Sequence, residues 1–97
     1  MKGLIISKAV QQKLNKKHGG ISAREIEQCF ENCEGSHLVD TREDHKTDPE
    51  TKWFIASTNA NRTLKIVFIF EEGQVHLKTA YEPNAEEERI YRKFGCC

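Results

Sequence analysis

The chain has 97 residues, 37% of them hydrophobic and 31% charged, and its formal net charge is zero. That length holds one core, so a single domain over residues 1–97 is expected. No apolar run approaches the roughly 20 residues that cross a bilayer, and balanced charge gives no global pull toward nucleic acid.

The opening MKGLIIS carries one lysine and an apolar run too short for a secretory signal. It is expected to be the true start of a cytoplasmic protein. The spacing then predicts a first helix from about Lys8 to His18, with Ser7 as N-cap and Gly19-Gly20 as stop. Its apolar stripe, Val10 and Leu14 after Ile6, is thin. Ser22 and Glu25 form a capping box that opens a second helix. Ile26, Cys29, Phe30 and Cys33 make its core face at helical spacing.

HLVDTR, residues 37–42, reads as a first strand, followed by the polar loop EDHKTDPET, in which Pro49 bars regular structure. A second strand is expected at Lys52–Thr58, a turn at NANR, a third strand at Thr63–Phe70 and a fourth at Val75–Tyr81. Pro83 and Asn84 start the last helix, where Asn84 and Glu87 form another capping box and Ile90, Tyr91 and Phe94 face inward. The expected fold is α+β, in the order α-α-β-β-β-β-α. Short connections make the four-stranded sheet antiparallel.

Charge is segregated along the chain. Residues 1–18 hold Lys2, Lys8, Lys13, Lys16 and Lys17 and no acid, whereas residues 82–88 hold Glu82, Glu86, Glu87 and Glu88 and no base. A basic face of this kind suits RNA or an acidic partner. Cys29 and Cys33 lie at i, i+4, and Cys96 and Cys97 are adjacent, which is no disulfide framework. Reduced cysteines are the plain reading. A metal site of Cys29, Cys33 and His18 matches no zinc spacing.

The final third carries residue types that bind phosphate and move protons without a metal: Lys65, His76, Lys78, Tyr81, Arg89 and Tyr91. Alternation puts Leu64, Ile66, Phe68 and Phe70 on one face with Val75, Leu77, Thr79 and Tyr81, under the helices. Given the simplest hairpin register, Lys65, His76 and Lys78 then share the more open face with Val67, Ile69 and Ala80. Each residue also has a plainer reading. Strand lysines are commonly solvated spacers, a lone histidine is commonly a surface residue, and tyrosines commonly edge a core. Asp40, Asp44, His45 and Asp48 suggest a metal or acid/base cluster, and in a Pro-containing polar loop they are also ordinary turn formers. No HExxH, P-loop, CxxC, GxSxG or dinucleotide fingerprint is present.

The order of these short motifs resembles the BrnT family of toxins from bacterial type II toxin–antitoxin pairs, within the RelE-like ribonuclease superfamily. Lys17-His18-Gly19 with Ser22 and Glu25 matches the KHG-S-x-x-E pattern. Asn61-Arg62 with Leu64 and Ile66-Val67 matches a GR-x-L-x-V-V segment, with asparagine for glycine. The KTAY strand end and the ERIY helix complete the series, with Thr79-Ala80-Tyr81 where serine-alanine-arginine is usual. The resemblance covers nearly the whole chain. It implies a RelE-like fold and a cytoplasmic bacterial endoribonuclease that cleaves mRNA and arrests growth. A cognate DNA-binding antitoxin, BrnA-like, would hold it inactive in a homo- or hetero-oligomer. The implied chemistry needs no metal or cofactor: the ribose 2′-hydroxyl attacks the adjacent phosphate, so a base, cations and an acid are required. Arg62, Lys65 and Lys78 are the candidates for phosphate charge, and Tyr81, His76 and His45 for proton transfer. The missing arginine at Tyr81 keeps a second reading in play, a retained fold that binds a protein partner with weak or lost catalysis.

Overall fold

The computed structural model describes residues 3–16, 20–33, 38–39 and 51–94. The expectations for His18, for most of the HLVDTR strand, for the 43–51 loop up to Glu50 with His45, and for Cys96 and Cys97 lie outside those residues. The element order is β1 (Leu4–Ile5), α1 (Lys8–Asn15), α2 (Ala23–Asn32), β2 (Leu38–Val39), β3 (Thr51–Ser57), β4 (Thr63–Glu71), β5 (Gln74–Tyr81) and α3 (Ala85–Phe94). No helix among the described residues is long and apolar enough to cross a membrane.

The architecture is α+β, with one correction. The sheet has five strands in the order β1-β5-β4-β3-β2, and it is mixed. β2 to β5 are antiparallel neighbours, but β1 runs parallel to β5, Leu4 opposite Val75 and Ile5 opposite His76. Two residues are too few to display alternation, so β1 carries no sequence signal of its own. Gly3 makes the pairing possible. Its φ is +83°, its carbonyl accepts from the Val75 amide at 2.6 Å, and a Cβ there would sit 3.3 Å from the Gly73 carbonyl oxygen.

The helix caps form as the sequence predicts. The Ser7 hydroxyl accepts from the Val10 amide at 3.2 Å, and Ser22 and Glu25 close their box reciprocally. α1 buries Leu14 alone, and α2 buries Ile26 and Cys29. Phe30 packs edge-on against Phe54 and Phe68, with ring centroids at 4.8 and 5.3 Å. These side chains cover one sheet face, lined by Phe54, Leu64, Ile66, Phe68, Val75, Leu77 and Ala80. Each large apolar side chain buried there contributes roughly 2 kcal/mol.

The β4–β5 hairpin turns through Glu72 and Gly73, both at positive φ (55° and 75°), which matches strand twist. Its register is not the simplest one. Phe68 faces Leu77 but Val67 faces Thr79, so Lys78 is an extra residue in β5. This bulge resets the alternation. Val75 and Leu77 point to the helix-covered face before it, and Ala80 does so after it, fully buried. Thr79 and Tyr81 fall on the opposite face beside Lys65, contrary to expectation. That face is not open either, because α3 lies across it and brings Glu87 to Lys65 and Tyr91 to Trp53.

Candidate active site

Lys65 sits mid-strand between Leu64 and Ile66 and is only 6% exposed. Its Nζ donates to Glu87 Oε2 at 2.6 Å, and it lies 4.5 Å over the Trp53 ring centroid and 5.6 Å from that of Tyr81. The bulge places Tyr81 directly across from Lys65. The Tyr81 hydroxyl donates to the same Glu87 oxygen at 2.8 Å. The capping box delivers that carboxylate. The Glu87 amide donates to Asn84 Oδ1 at 2.8 Å, and Glu87 Oε1 accepts from the Asn84 amide at 3.1 Å. One oxygen of Glu87 therefore caps its own helix and the other holds the site.

The electrostatics follow from these contacts. Burial pushes the Glu87 carboxyl up, but hydrogen bonds from Lys65, the Asn84 amide and Tyr81, together with the lysine charge, hold it below the usual carboxylate range. Burial pushes the Tyr81 phenol above its ordinary range, and its hydrogen bond to Glu87 adds to this while Lys65 opposes. At neutral pH Glu87 is therefore a carboxylate and Tyr81 a neutral phenol. Tyr81 can give a proton there far more readily than take one.

Arg62 enters from the five-residue loop between β3 and β4. Asn61, at φ 63°, shapes that loop, and the Thr58 hydroxyl accepts from the Arg62 amide at 3.1 Å. The guanidinium donates through Nη1 to the Gly20 carbonyl at 2.6 Å and to Glu25 Oε2 at 3.1 Å. Nε and Nη2 both reach Glu82 Oε1 at 3.2 Å. Burial raises the Glu25 carboxyl, yet the Ser22 amide and Arg62 outweigh it and hold the group low. Burial lowers the Arg62 guanidinium, and the two carboxylates more than restore it. Arg62 ties the turn before α2, α2 itself and the exit of β5 into one knot.

The structure thus brings Lys65 and Tyr81 together, with Arg62 anchored at the same end of the sheet through Glu82, the residue after Tyr81. It does not gather the others. His76 pairs with Ile69, four residues along β4 from Lys65, which is about 13 Å at the usual strand rise. Lys78 is exposed at the bulge, and His45 lies outside the described residues. Arg89 is exposed and meets only Glu86, at 3.5 Å, among the ion pairs of the described residues. Tyr91 is buried between Trp53, at a centroid distance of 5.7 Å, and the Cys33 sulfur, 3.6 Å from its hydroxyl. Cys29 is core: its thiol is pushed up to about 12, first by burial and then by Glu25 and Cys33. No group of three or more metal-binding side chains occurs among the described residues.

Glu87, Glu25, Glu82 and Trp53 are the residues that sequence reasoning leaves out of this site. Both capping-box acids were legible as helix starts, but a cap position does not say where its second oxygen points. No protein-family model, no curated protein and no solved structure matches the chain.

Proposed function

We propose that the chain is a metal-independent endoribonuclease, the toxin half of a BrnT-like, RelE-like toxin–antitoxin pair. The observation that carries this reading is the buried Lys65 paired across the strands with a Tyr81 held as a neutral donor. In the reaction the ribose 2′-oxygen bonds to phosphorus and its proton passes to a base. The bond from phosphorus to the 5′-oxygen breaks, and that oxygen takes a proton from an acid. The products are a 2′,3′-cyclic phosphate and a free 5′-hydroxyl. Lys65 supplies charge to the phosphorane and Tyr81 is the acid. For the base, His76 is too far along β5, and His45 remains the candidate that the sequence offers. Arg62, engaged by three internal acceptors among the described residues, positions the β4 entry instead of meeting phosphate.

The purified chain is expected to cleave RNA in EDTA, and Lys65→Met or Tyr81→Phe to lower the rate at least ten-fold, about 1.4 kcal/mol of transition-state stabilisation. Unchanged rates in both variants would remove the pair from the mechanism. Expression alone in a bacterium is expected to arrest growth, and co-expression of the adjacent antitoxin to relieve it.

One observation favours a second reading. Arg62 and Lys65 are both neutralised by internal carboxylates, and the cluster as it stands staples α3 to the sheet. A chain of this kind that only binds a protein partner would keep those contacts and lack cleavage. Absence of RNA cleavage and of growth arrest, with a partner still bound, supports it.

A further inference from the structure

We infer that Glu87 is an internal occupant of an anion-binding site made by Lys65 Nζ and the Tyr81 hydroxyl, so that the start of α3 acts as an autoinhibitory latch. The inference rests on reading that pair as the phosphate site. Glu87 Oε2 accepts from both groups at once, at 2.6 and 2.8 Å. A phosphate oxygen in the same position would satisfy both donors in the same way. Substrate phosphate and Glu87 cannot occupy that position together, and a retained carboxylate would repel the phosphate.

The latch is held lightly enough to open. Of the ten residues of α3 only Tyr91 is buried, while Ile90 is 37% and Phe94 65% exposed. A helix of this length has little stability apart from its docking. Glu87 Oε1 also accepts from the Asn84 amide, so displacing the carboxylate disturbs the helix cap. Trp53 is not part of the anion site: Lys65 covers its ring and Tyr91 packs beside it. As a tethered competitor on a short linker Glu87 has an effective concentration on the order of millimolar, so an external anion must exceed that to displace it.

The test uses inorganic phosphate as probe, at constant ionic strength made up with chloride, on the full chain. Backbone amide shifts of Lys65, Tyr81 and Asn84 are followed by NMR in the wild type, Glu87→Gln and Glu87→Gln/Lys65→Met. The glutamine keeps the cap and an acceptor for Tyr81 but drops the charge. Glu87→Gln is expected to saturate at no more than one tenth of the phosphate the wild type needs, and the double variant to lose the response. Equal affinities in wild type and Glu87→Gln overturn the latch. Should Glu87→Gln not fold, the wild type decides: about 100 mM phosphate, well above the tethered carboxylate, should shift all three amides where chloride does not, and no shift overturns the idea. RNA cleavage is read in parallel. Tighter phosphate binding without cleavage keeps the latch and removes the ribonuclease. Cleavage slower in Glu87→Gln than in the wild type makes Glu87 part of the machinery and overturns the latch.

Discussion

Removing the charge of Glu87 should cost more stability than removing that of Lys65, although the two belong to one ion pair. The reason is unequal burial: the lysine side chain is 7% exposed and the glutamate 21%. Glu87→Gln strands a buried ammonium. Losing one partner of a buried pair costs about 3–5 kcal/mol. Here the glutamine amide oxygen can still accept from Lys65 and Tyr81, a retained hydrogen bond that offsets about 1–2 kcal/mol of that loss and leaves about 2–3 kcal/mol. Lys65→Met strands a carboxylate that water can reach and that still accepts from Asn84 and Tyr81. Methionine meanwhile packs on Trp53, so the cost is about 1 kcal/mol or less. For a domain of this size 1 kcal/mol moves Tm by about 4–8 °C, so Glu87→Gln should fall by about 8–24 °C and Lys65→Met by no more than about 8 °C. Calorimetry or urea titration at pH 7 reads both. Phosphate should recover part of the Glu87→Gln loss by binding the folded state only. A Lys65→Met shift as large as that of Glu87→Gln would refute the burial argument.

Three further outcomes follow from the same contacts. Glu25 and Glu87 are held below the ordinary carboxylate range, so near pH 4 the folded chain binds fewer protons than the unfolded one. Their stabilisation is present above the unfolded pKa and is lost as pH falls through the folded one. Urea midpoints measured between pH 3 and 6 should therefore drop less steeply in Glu87→Gln than in the wild type. Arg62→Lys should not restore what Arg62→Ala loses, because one ammonium cannot reach Gly20, Glu25 and Glu82 together; equal midpoints for lysine and arginine would contradict the knot. Cys29, with its thiol pushed up to about 12, should stay unalkylated by iodoacetamide at pH 8 in the folded chain and react once unfolded, as peptide mass spectrometry would read.

Local signals in the sequence carried the helices and the three long strands. Ser22 with Glu25 and Asn84 with Glu87 announced two helix starts, and Glu72-Gly73 announced the hairpin. These are short-range effects, visible in three or four residues. The site was less legible, for a physical reason that sits at Lys78. Alternation assumes one residue per pleat position, and a single extra residue in β5 transferred Tyr81 to Lys65's face and Ala80 to the core. Nothing in QVHLKTAY marks that insertion, because it is decided by how β5 fits β4 and the helices. β1 was hidden for a related reason, since Leu4 and Ile5 are strand only through Val75 and His76 across from them. The lysine thought to be solvated is buried because α3 closes over it, a tertiary contact that no local pattern encodes.

The two cations at this end of the sheet differ in what they could give up. Among the described residues Arg62 has three internal acceptors from three segments, so freeing it would undo the joint between α2, the β4 entry and the β5 exit. Among the same residues Lys65 has one, carried on α3, which buries only Tyr91. A phosphate ligand would therefore meet Lys65 at the cost of a single ion pair and would meet Arg62 only by local unfolding. Tyr81 donates to the same Glu87 oxygen, so displacing that carboxylate opens one acceptor position in front of both a cation and a proton donor. The absence of an arginine at position 81 then reads differently. An arginine there would place a second cation beside Lys65, and one carboxylate would no longer balance the site. A tyrosine lets one Glu87 oxygen accept from both groups at once, which makes access to the site depend on displacing Glu87.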